Sequence, residues 1–389
     1  MKVCAISFVE CWRSEDGVWM AAGGFPRQMA GIAGLFDEMD LLMIDGRPRP
    51  GGQPLPAKAR VVPMRGPTGT DGRRKVSVLL NLAYYSQVMM RHIRSADVVH
   101  VPLPGDIPLL GLGFALLARK RLIARYGGSW SATSQTTLMN RVTRSLMRAF
   151  AGGANIMLAT GSGKDEPAPN MHWIFSTALS ESELNSIDPD LNRSPGNPPQ
   201  LAYCGRLSEE KGIEYLLRAL ARLNEQGFMP VPRVTLMGAG PDRPRLEALA
   251  VQLNVARQVR FTGQLDRQGL TAVLSSADLC VQPSLTEGFS KAWLDAMAHG
   301  VPVIASRVGA AATVIGGEGQ RGWVVEPGHV DQLAATIRTA LTGTADWHQL
   351  RRRCRLYAES LTLEKWQLEI GRICSQAWKC RLVGGRLLA

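Results

Sequence analysis

The sequence predicts an α/β chain of two domains, each built on short, mostly parallel strands. Three observations lead there. Beyond residue 200, short apolar strands alternate with amphipathic helices, as in successive βαβ units. A polar stretch with four prolines, Ser186–Gln200, precedes that series as a linker. The 389 residues, 45% hydrophobic and 20% charged, suffice for two globular cores. The divisions expected are 1–185, a linker at 186–200, 201–345, and C-terminal helices over 346–389.

The elements of the first half follow in order. Lys2–Val9 reads as a strand. The turn Ala21-Ala22-Gly23-Gly24-Phe25 leads into a helix over Arg27–Met39. Residues 46–75 are rich in Pro, Gly and basic residues and read as a long loop, with Ala59–Val62 as a brief strand. Val76–Arg94 has helical character. Ala96–Val101 reads as a buried strand that ends near His100, either a packing residue or a group facing an acceptor.

The second half is sharper. Leu201–Cys204 is a short buried strand, Gly205 turns the chain, and Arg206 stands at the strand end. Lys211 opens a helix whose apolar stripe is Ile213, Leu216, Leu217, Leu220 and Leu223. Two cations at the carboxyl end of a strand suit a diphosphate: arginine offers a planar fork and lysine a point charge. Val234–Met237 is a strand, Gly238-Ala239-Gly240-Pro241 a tight loop, and Arg243–Ala250 a helix. No third glycine follows at dinucleotide-fingerprint spacing. Val259–Leu265, Ala277–Ser284, Val301–Ser306 and Gly322–Gly328 supply further strands. The tail, Trp347–Trp378, is helical.

Residues 284–300, SLTEGFSKAWLDAMAHG, carry the most chemistry. Glu287 precedes Gly288-Phe289-Ser290, and Asp295 follows on an apolar-periodic run. A helix starting near Gly288 would set the two carboxylates about 12 Å apart along its axis. Its first turn would offer free N–H groups and a positive dipole end to phosphate.

In this order GRLSEEKG, GAGP, FTG, PSLTEGF, the acid that follows Glu287 after seven intervening residues, HGVPVIAS and EPG resemble the C-terminal half of the retaining glycosyltransferases of family four, which have the GT-B fold. The likeness covers roughly residues 200–345. It implies two Rossmann-like domains facing across a cleft, with a terminal helix crossing back to the first; Trp366, Ile370, Ile373 and Ala377 would be its packing stripe. It also implies transfer of a sugar from a nucleotide-diphosphate sugar to a carbohydrate or lipid-linked acceptor with retention, in polysaccharide or envelope glycan synthesis. Arg206 and Lys211 would hold the donor diphosphate, with Gly205 and Gly238 in the same donor site. Glu287 would meet the donor sugar and Asp295 the ribose, while the N–H groups of Gly288, Phe289 and Ser290 reach the donor. Glu287, Arg206 and Lys211 form the expected catalytic set. On the acceptor or phosphate side the candidates are Gly23, Gly24, His100, Ser129 and Trp130.

There are departures from the family pattern. Asp295 stands where the family usually has Glu. Thr313 replaces an acid, and Arg125-Tyr126-Gly127-Gly128 lacks the His of a family turn. A non-catalytic nucleotide-sugar-binding subunit and a GT-B epimerase therefore stay open.

Composition bounds partners. The net charge is +12, and no acid lies between Asp106 and Asp165, a stretch that includes Arg119, Lys120, Arg121, Arg125, Arg141, Arg144, Arg148 and Lys164. Apolar then basic residues over Ile107–Leu122 predict contact with an anionic membrane surface. An aromatic platform for nucleic acid is missing, so no nucleic-acid partner is expected. Seven scattered Cys argue for reduced thiols and a cytoplasmic setting, peripheral to the membrane. No signal-peptide pattern opens the chain. No Asp-x-Asp motif appears in the donor half, so the expectation is no metal and no cofactor beyond the co-substrate.

Overall fold

The computed structural model describes residues 1–49, 52–130, 136–343 and 345–388. Pro50 and Gly51, part of the loop expected over 46–75, lie outside them. The chain divides into two units: Met1–Ala178 with Leu363–Ala389, and Leu179–Thr362.

The first unit runs β1 (Lys2–Arg13), β2 (Trp19–Ala22), α1 (Phe25–Gly34), β3 (Glu38–Asp45), β4 (Gly52–Pro54), β5 (Ala59–Met64), α2 (Asp71–Leu80), α3 (Leu82–Ser95), β6 (Val98–Leu103), α4 (Asp106–Leu117), β7 (Arg121–Tyr126), α5 (Leu138–Ala149), β8 (Asn155–Thr160) and β9 (Met171–Ile174). Its parallel strands lie in the order β5-β3-β1-β6-β7-β8-β9. β2 pairs antiparallel with the end of β1, and β4 with β2. Beside β2, β4, β7, β8 and β9, the longest strand not expected from sequence is β3. Its core, Met39–Ile44, is buried throughout, and periodicity cannot separate such a run from a buried helix. The helix expected to reach Met39 accordingly stops at Gly34. The helix expected over Val76–Arg94 is two helices joined at Asn81.

The second unit contains α6 (Glu181–Ser186), β10 (Gln200–Cys204), α7 (Ile213–Glu225), β11 (Arg233–Met237), α8 (Arg243–Gln252), β12 (Val259–Gly263), α9 (Arg267–Ser276), β13 (Leu279–Gln282), α10 (Lys291–Ala298), β14 (Val303–Ser306), α11 (Ala311–Ile315), β15 (Gly322–Val325), α12 (Val330–Thr342) and α13 (Trp347–Glu359). Its sheet is parallel, ordered β12-β11-β10-β13-β14-β15. The α7 stripe is buried as expected, with Ile213, Leu216, Leu217, Leu220 and Leu223 all in one core.

The segment expected as a linker is bound into this second unit. Asp278 Oδ2 accepts from the backbone N–H groups of Gly196 at 3.1 Å and Gln200 at 2.7 Å. Arg193 donates to the Ser276 and Ala277 carbonyls, and buried Arg351 donates to the Arg193 carbonyl. The chain passes between units at Leu179, ahead of residues 186–200.

The chain ends in α14 (Leu363–Trp378), β16 (Arg381–Val383) and β17 (Arg386–Leu388). Trp366, Ile370 and Ile373 join the first unit's core together with Met29 and Ile32 of α1. Ala377 of the expected stripe is exposed, and Trp378 takes the buried position beside it.

Candidate functional site

Strand order in the second unit reverses between β10 and β13. From that point β10 leads to β11 and β12, and β13 leads to β14 and β15. Ligands of open parallel sheets bind outside the strand ends at such a switch. The loops leaving β10 (205–212) and β13 (283–290) stand there side by side. Leu285 N–H donates to the Glu210 carbonyl at 2.8 Å. Gly212 makes the approach possible: its φ is 64°, and a Cβ there would lie 2.1 Å from the Pro283 carbonyl oxygen. Any larger residue would part the loops.

Across this junction Lys211 Nζ meets Glu287 Oε2 at 2.5 Å, both side chains partly buried. Arg206, on the same loop as Lys211, is exposed and has no side-chain hydrogen bond or ion pair among the described residues. Its own backbone is fixed, because Tyr203 Oη donates to its carbonyl at 2.9 Å. Gly205 donates its N–H to Met237, and Gly238 donates to Gly263. Gly238 serves loop packing: a Cβ there would sit 1.8 Å from the Gly205 carbonyl oxygen.

The helix expected near Gly288 starts at Lys291, capped by the backbone of Ser290. Glu287 therefore lies on the loop, and the helical spacing to Asp295 does not apply. Two contacts explain the late start. The Gly288 carbonyl accepts from Ala310 N–H at 2.9 Å, so it is committed to the neighbouring loop. Phe289 is buried, its ring 5.9 Å from that of Trp293. The Phe289 side chain therefore packs inside the protein. The first turn of α10 has no acid and no side-chain cap, so its positive dipole end favours an anion, while Trp293 N–H donates to the Ser290 carbonyl at 3.3 Å.

Asp295 faces a partner that sequence reasoning missed. Arg267, at the start of α9, donates from Nη1 to Asp295 Oδ1 at 2.8 Å and from Nε to Glu183 Oε1 at 3.2 Å. Burial acts to lower the Arg267 pKa, but the two carboxylates outweigh it and the net shift is upward. The signal was present in the sequence: Arg267 closely follows the FTG strand. Below, the Asp295 carbonyl bonds His299 Nδ1 at 2.8 Å. Thr313 is exposed on α11, and its carbonyl accepts from Arg321.

The first-unit candidates divide. Gly23 is exposed ahead of α1, and Gly24 is its N-cap. Ser129 is partly buried. Trp130 is a packing residue. It is 7% exposed, stands edge-on to Tyr126, and donates from Nε1 to the Pro167 carbonyl at 3.0 Å. His100 is fully buried, its Nδ1 bonded to the Ile123 carbonyl at 3.1 Å. Neither presents its side chain to solvent.

The expected membrane face over Ile107–Leu122 is only partly exposed. Ile107, Leu112 and Ala115 of α4 are buried, and Leu122 belongs to β7. Lys120 donates to the carbonyls of Arg94 and Ala96. The segment still exposes Leu117, at 75%, close to exposed Arg119, and a further apolar-and-basic face lies on α2, where Leu79 and Leu80 are 68% and 80% exposed beside exposed Arg73 and Lys75. Among the described residues no helix is long and apolar enough to cross a membrane, and no cluster of His, Cys, Asp and Glu has the makings of a metal site.

Residues 187–361 match the family model for glycosyl transferases group 1. The glycogen synthase of Mycobacterium tuberculosis is 35% identical over 202 residues, half of this chain and 47% of that protein. The MMP alpha-(1->4)-mannosyltransferase of Mycolicibacterium hassiacum is 36% identical over 140 residues, 36% of this chain and 33% of that protein. The chain spans about half or less of the length of these relatives. Among solved structures, the sucrose-phosphate synthase of Thermosynechococcus elongatus aligns over 97% of this chain and 99% of its own, with a TM-score of 0.73 at 21% identity. Anabaena HepE in complex with UDP aligns over 97% of this chain and 100% of its own, with a TM-score of 0.68 at 18% identity. The fold is the expected GT-B type.

Proposed function

We propose that this chain, whose residues 187–361 are a glycosyl transferases group 1 domain, moves a sugar from a nucleotide-diphosphate sugar to a carbohydrate or lipid-linked acceptor with retention. One observation carries the reading: a free guanidinium, a carboxylate-paired ammonium and an uncapped helix start occupy adjoining loops at the switch point of a parallel sheet.

The chemistry follows from those groups. Breaking the bond between the anomeric carbon and the phosphate oxygen builds negative charge on the leaving diphosphate. Arg206, Lys211 and the positive dipole end of α10 meet that charge electrostatically, so the reading needs no metal. Lys211 turns from Glu287 toward phosphate, and Glu287 accepts from hydroxyls of the donor sugar. Asp295, oriented by Arg267, accepts from the ribose. The acceptor hydroxyl attacks the face that the diphosphate leaves, and the departing phosphate oxygen takes its proton. HepE, solved with UDP, supports the nucleotide.

A thermal-shift screen of UDP-, GDP- and ADP-sugars tests the donor, since a ligand of the folded state must raise Tm. No shift with any of them would remove the donor assignment. The binding-only reading draws on one observation, the engagement of Asp295 by Arg267. Donor binding without transfer or donor hydrolysis would decide for it.

We place the working site of the chain at an anionic membrane surface on the cytoplasmic side, in envelope or polysaccharide synthesis, with the leucines and cations of α2 as the contact. Sedimentation with anionic vesicles that weakens as salt rises is expected. Equal sedimentation by a Leu79→Ser, Leu80→Ser variant would exclude α2.

A further inference from the structure

The sheet of the first unit has a switch point of its own. From β1 the order leads to β3 and β5, and from β6 to β7, β8 and β9. Pairing between β1 and β6 ends at Ala5 and His100, while β6 continues beside β7 to Leu103. The two central strands thus lose each other at their carboxyl ends, where open parallel sheets take ligands.

β1 is bulged at that place. Ile6 pairs with Leu42 and Glu10 with Ile44, so Ser7, Phe8 and Val9 stand opposite Met43 alone. Such a bulge re-aims side chains. Ser7 is fully buried, whereas Phe8 is 43% exposed. The Phe8 ring rests against Gly105, the residue before α4: a Cβ there would lie 2.7 Å from Phe8 Cδ1. A single open aromatic residue is ordinary, but this one adjoins a fixed polar pair.

The pair is Arg74 of α2 and Asp106, the first residue of α4. Arg74 donates from Nε to Asp106 Oδ2 at 2.6 Å and from Nη2 to Oδ1 at 3.1 Å. Oδ1 also accepts from Ile107 N–H at 2.9 Å, so the carboxylate is held from two sides. Both side chains stay open to solvent, at 35% and 15%. A guanidinium carries five N–H groups, and this pairing takes two. The Arg74 pKa is raised, chiefly by the Asp106 hydrogen bond, with a smaller push from the charge of Glu10. Glu10 is itself paired with Arg49. The two cations and two carboxylates cancel.

We infer that Phe8 and the Arg74–Asp106 pair form a subsite for a neutral hexopyranose. The negative face of the ring attracts the polarised C–H groups of one sugar face. Adjacent sugar hydroxyls then donate to Asp106 and accept from Arg74, and the cancelled charge gives a sugar acid no advantage. Use of this sugar as the acceptor rests on the transferase reading, whereas its binding does not.

The test is saturation-transfer NMR on the full chain with the methyl glycosides of glucose, galactose and mannose, and with glucuronate. At least one methyl glycoside should bind, and glucuronate no tighter. Phe8→Ala, a change at an open side chain, should weaken that binding about tenfold, as should Asp106→Asn, while Phe8→Trp should retain it. Binding should persist in Glu287→Ala, which alters the donor site only. No transfer to any methyl glycoside by the wild-type chain, a result that needs no variant to fold, would overturn the inference. So would glucuronate binding tenfold tighter than every methyl glycoside, or wild-type affinity in Phe8→Ala. Loss in Glu287→Ala would put the sugar in the donor site and overturn it too. Pyranose binding without any response to nucleotide sugars would sink the transferase reading alone.

Discussion

Two cationic sites differ in how their charge is handled. In the second unit Lys211 sits partly open at a loop junction, held at 2.5 Å by Glu287, while Arg206 stands free in solvent. In the first unit Arg125 is 6% exposed and has an amide and an indole face for neighbours in place of a carboxylate. An open cation is poised to exchange its partner for a phosphate at little desolvation cost. A buried one has already lost its water, so any anion that reaches it meets an undischarged charge. The first arrangement suits a ligand that comes and goes with each turnover. The second is a charge held inside the core by an amide and an indole face.

The predictions probe that contrast. The largest effect is expected from Trp366→Ala, which removes a fully buried indole from the first core and should cost about 3–5 kcal/mol. Differential scanning calorimetry with and without UDP-sugar should show a weakened first unit and a surviving donor response. Loss of that response would mean that the two sites are not independent.

Lys211→Ala should lower turnover by about 10²–10³-fold, as for loss of one transition-state donor, with Tm nearly unchanged. Steady-state kinetics checks this, and turnover within a factor of three of wild type would take Lys211 out of the mechanism.

Arg267→Gln should raise KM for the nucleotide sugar about tenfold, roughly 1.4 kcal/mol, by freeing Asp295 from its orienting partner. An unchanged KM would make Arg267 merely structural.

A smaller effect separates either site from ordinary buried charge. Asp40 is 2% exposed, 2.7 Å from His92 and 3.0 Å from Lys2. Burial would raise its pKa, but hydrogen bonds from His92 and Lys2 outweigh it and the net shift is downward. A depressed carboxylate stabilises the fold above its unfolded pKa, near 3.9, and loses that contribution as pH falls through the folded value. Asp40→Asn should therefore destabilise by about 1–2 kcal/mol at pH 7, with the difference shrinking in acid. A gap of constant size from pH 7 to pH 3 in urea melts would refute this account.

The donor half was legible because its chemistry is local. GRLSEEKG places Arg206 and Lys211 on one loop, and the alternation of strand and helix fixes that loop at a strand end. The same locality misled at Gly288. Its helix start was postponed by a carbonyl bound to Ala310, a residue of another loop. Arg267 was missed because its relation to Asp295 spans 28 residues and is made by α9 meeting α10. In the first half, β3 escaped because a strand buried on both faces carries no alternation.

By itself the sequence determined the α/β class, the order of elements in the second unit and the cations of the donor loop. Each is set by hydrophobic period, turn chemistry and short spacing, which act within a few residues. Tertiary structure alone decided that Lys211 meets Glu287 and that Asp295 belongs to Arg267. It also decided that Arg125 is buried with no carboxylate beside it among the described residues, and that α2 carries two exposed leucines, Leu79 and Leu80. Those outcomes depend on which strands become neighbours and which surfaces lose water, and distant parts of the chain settle both.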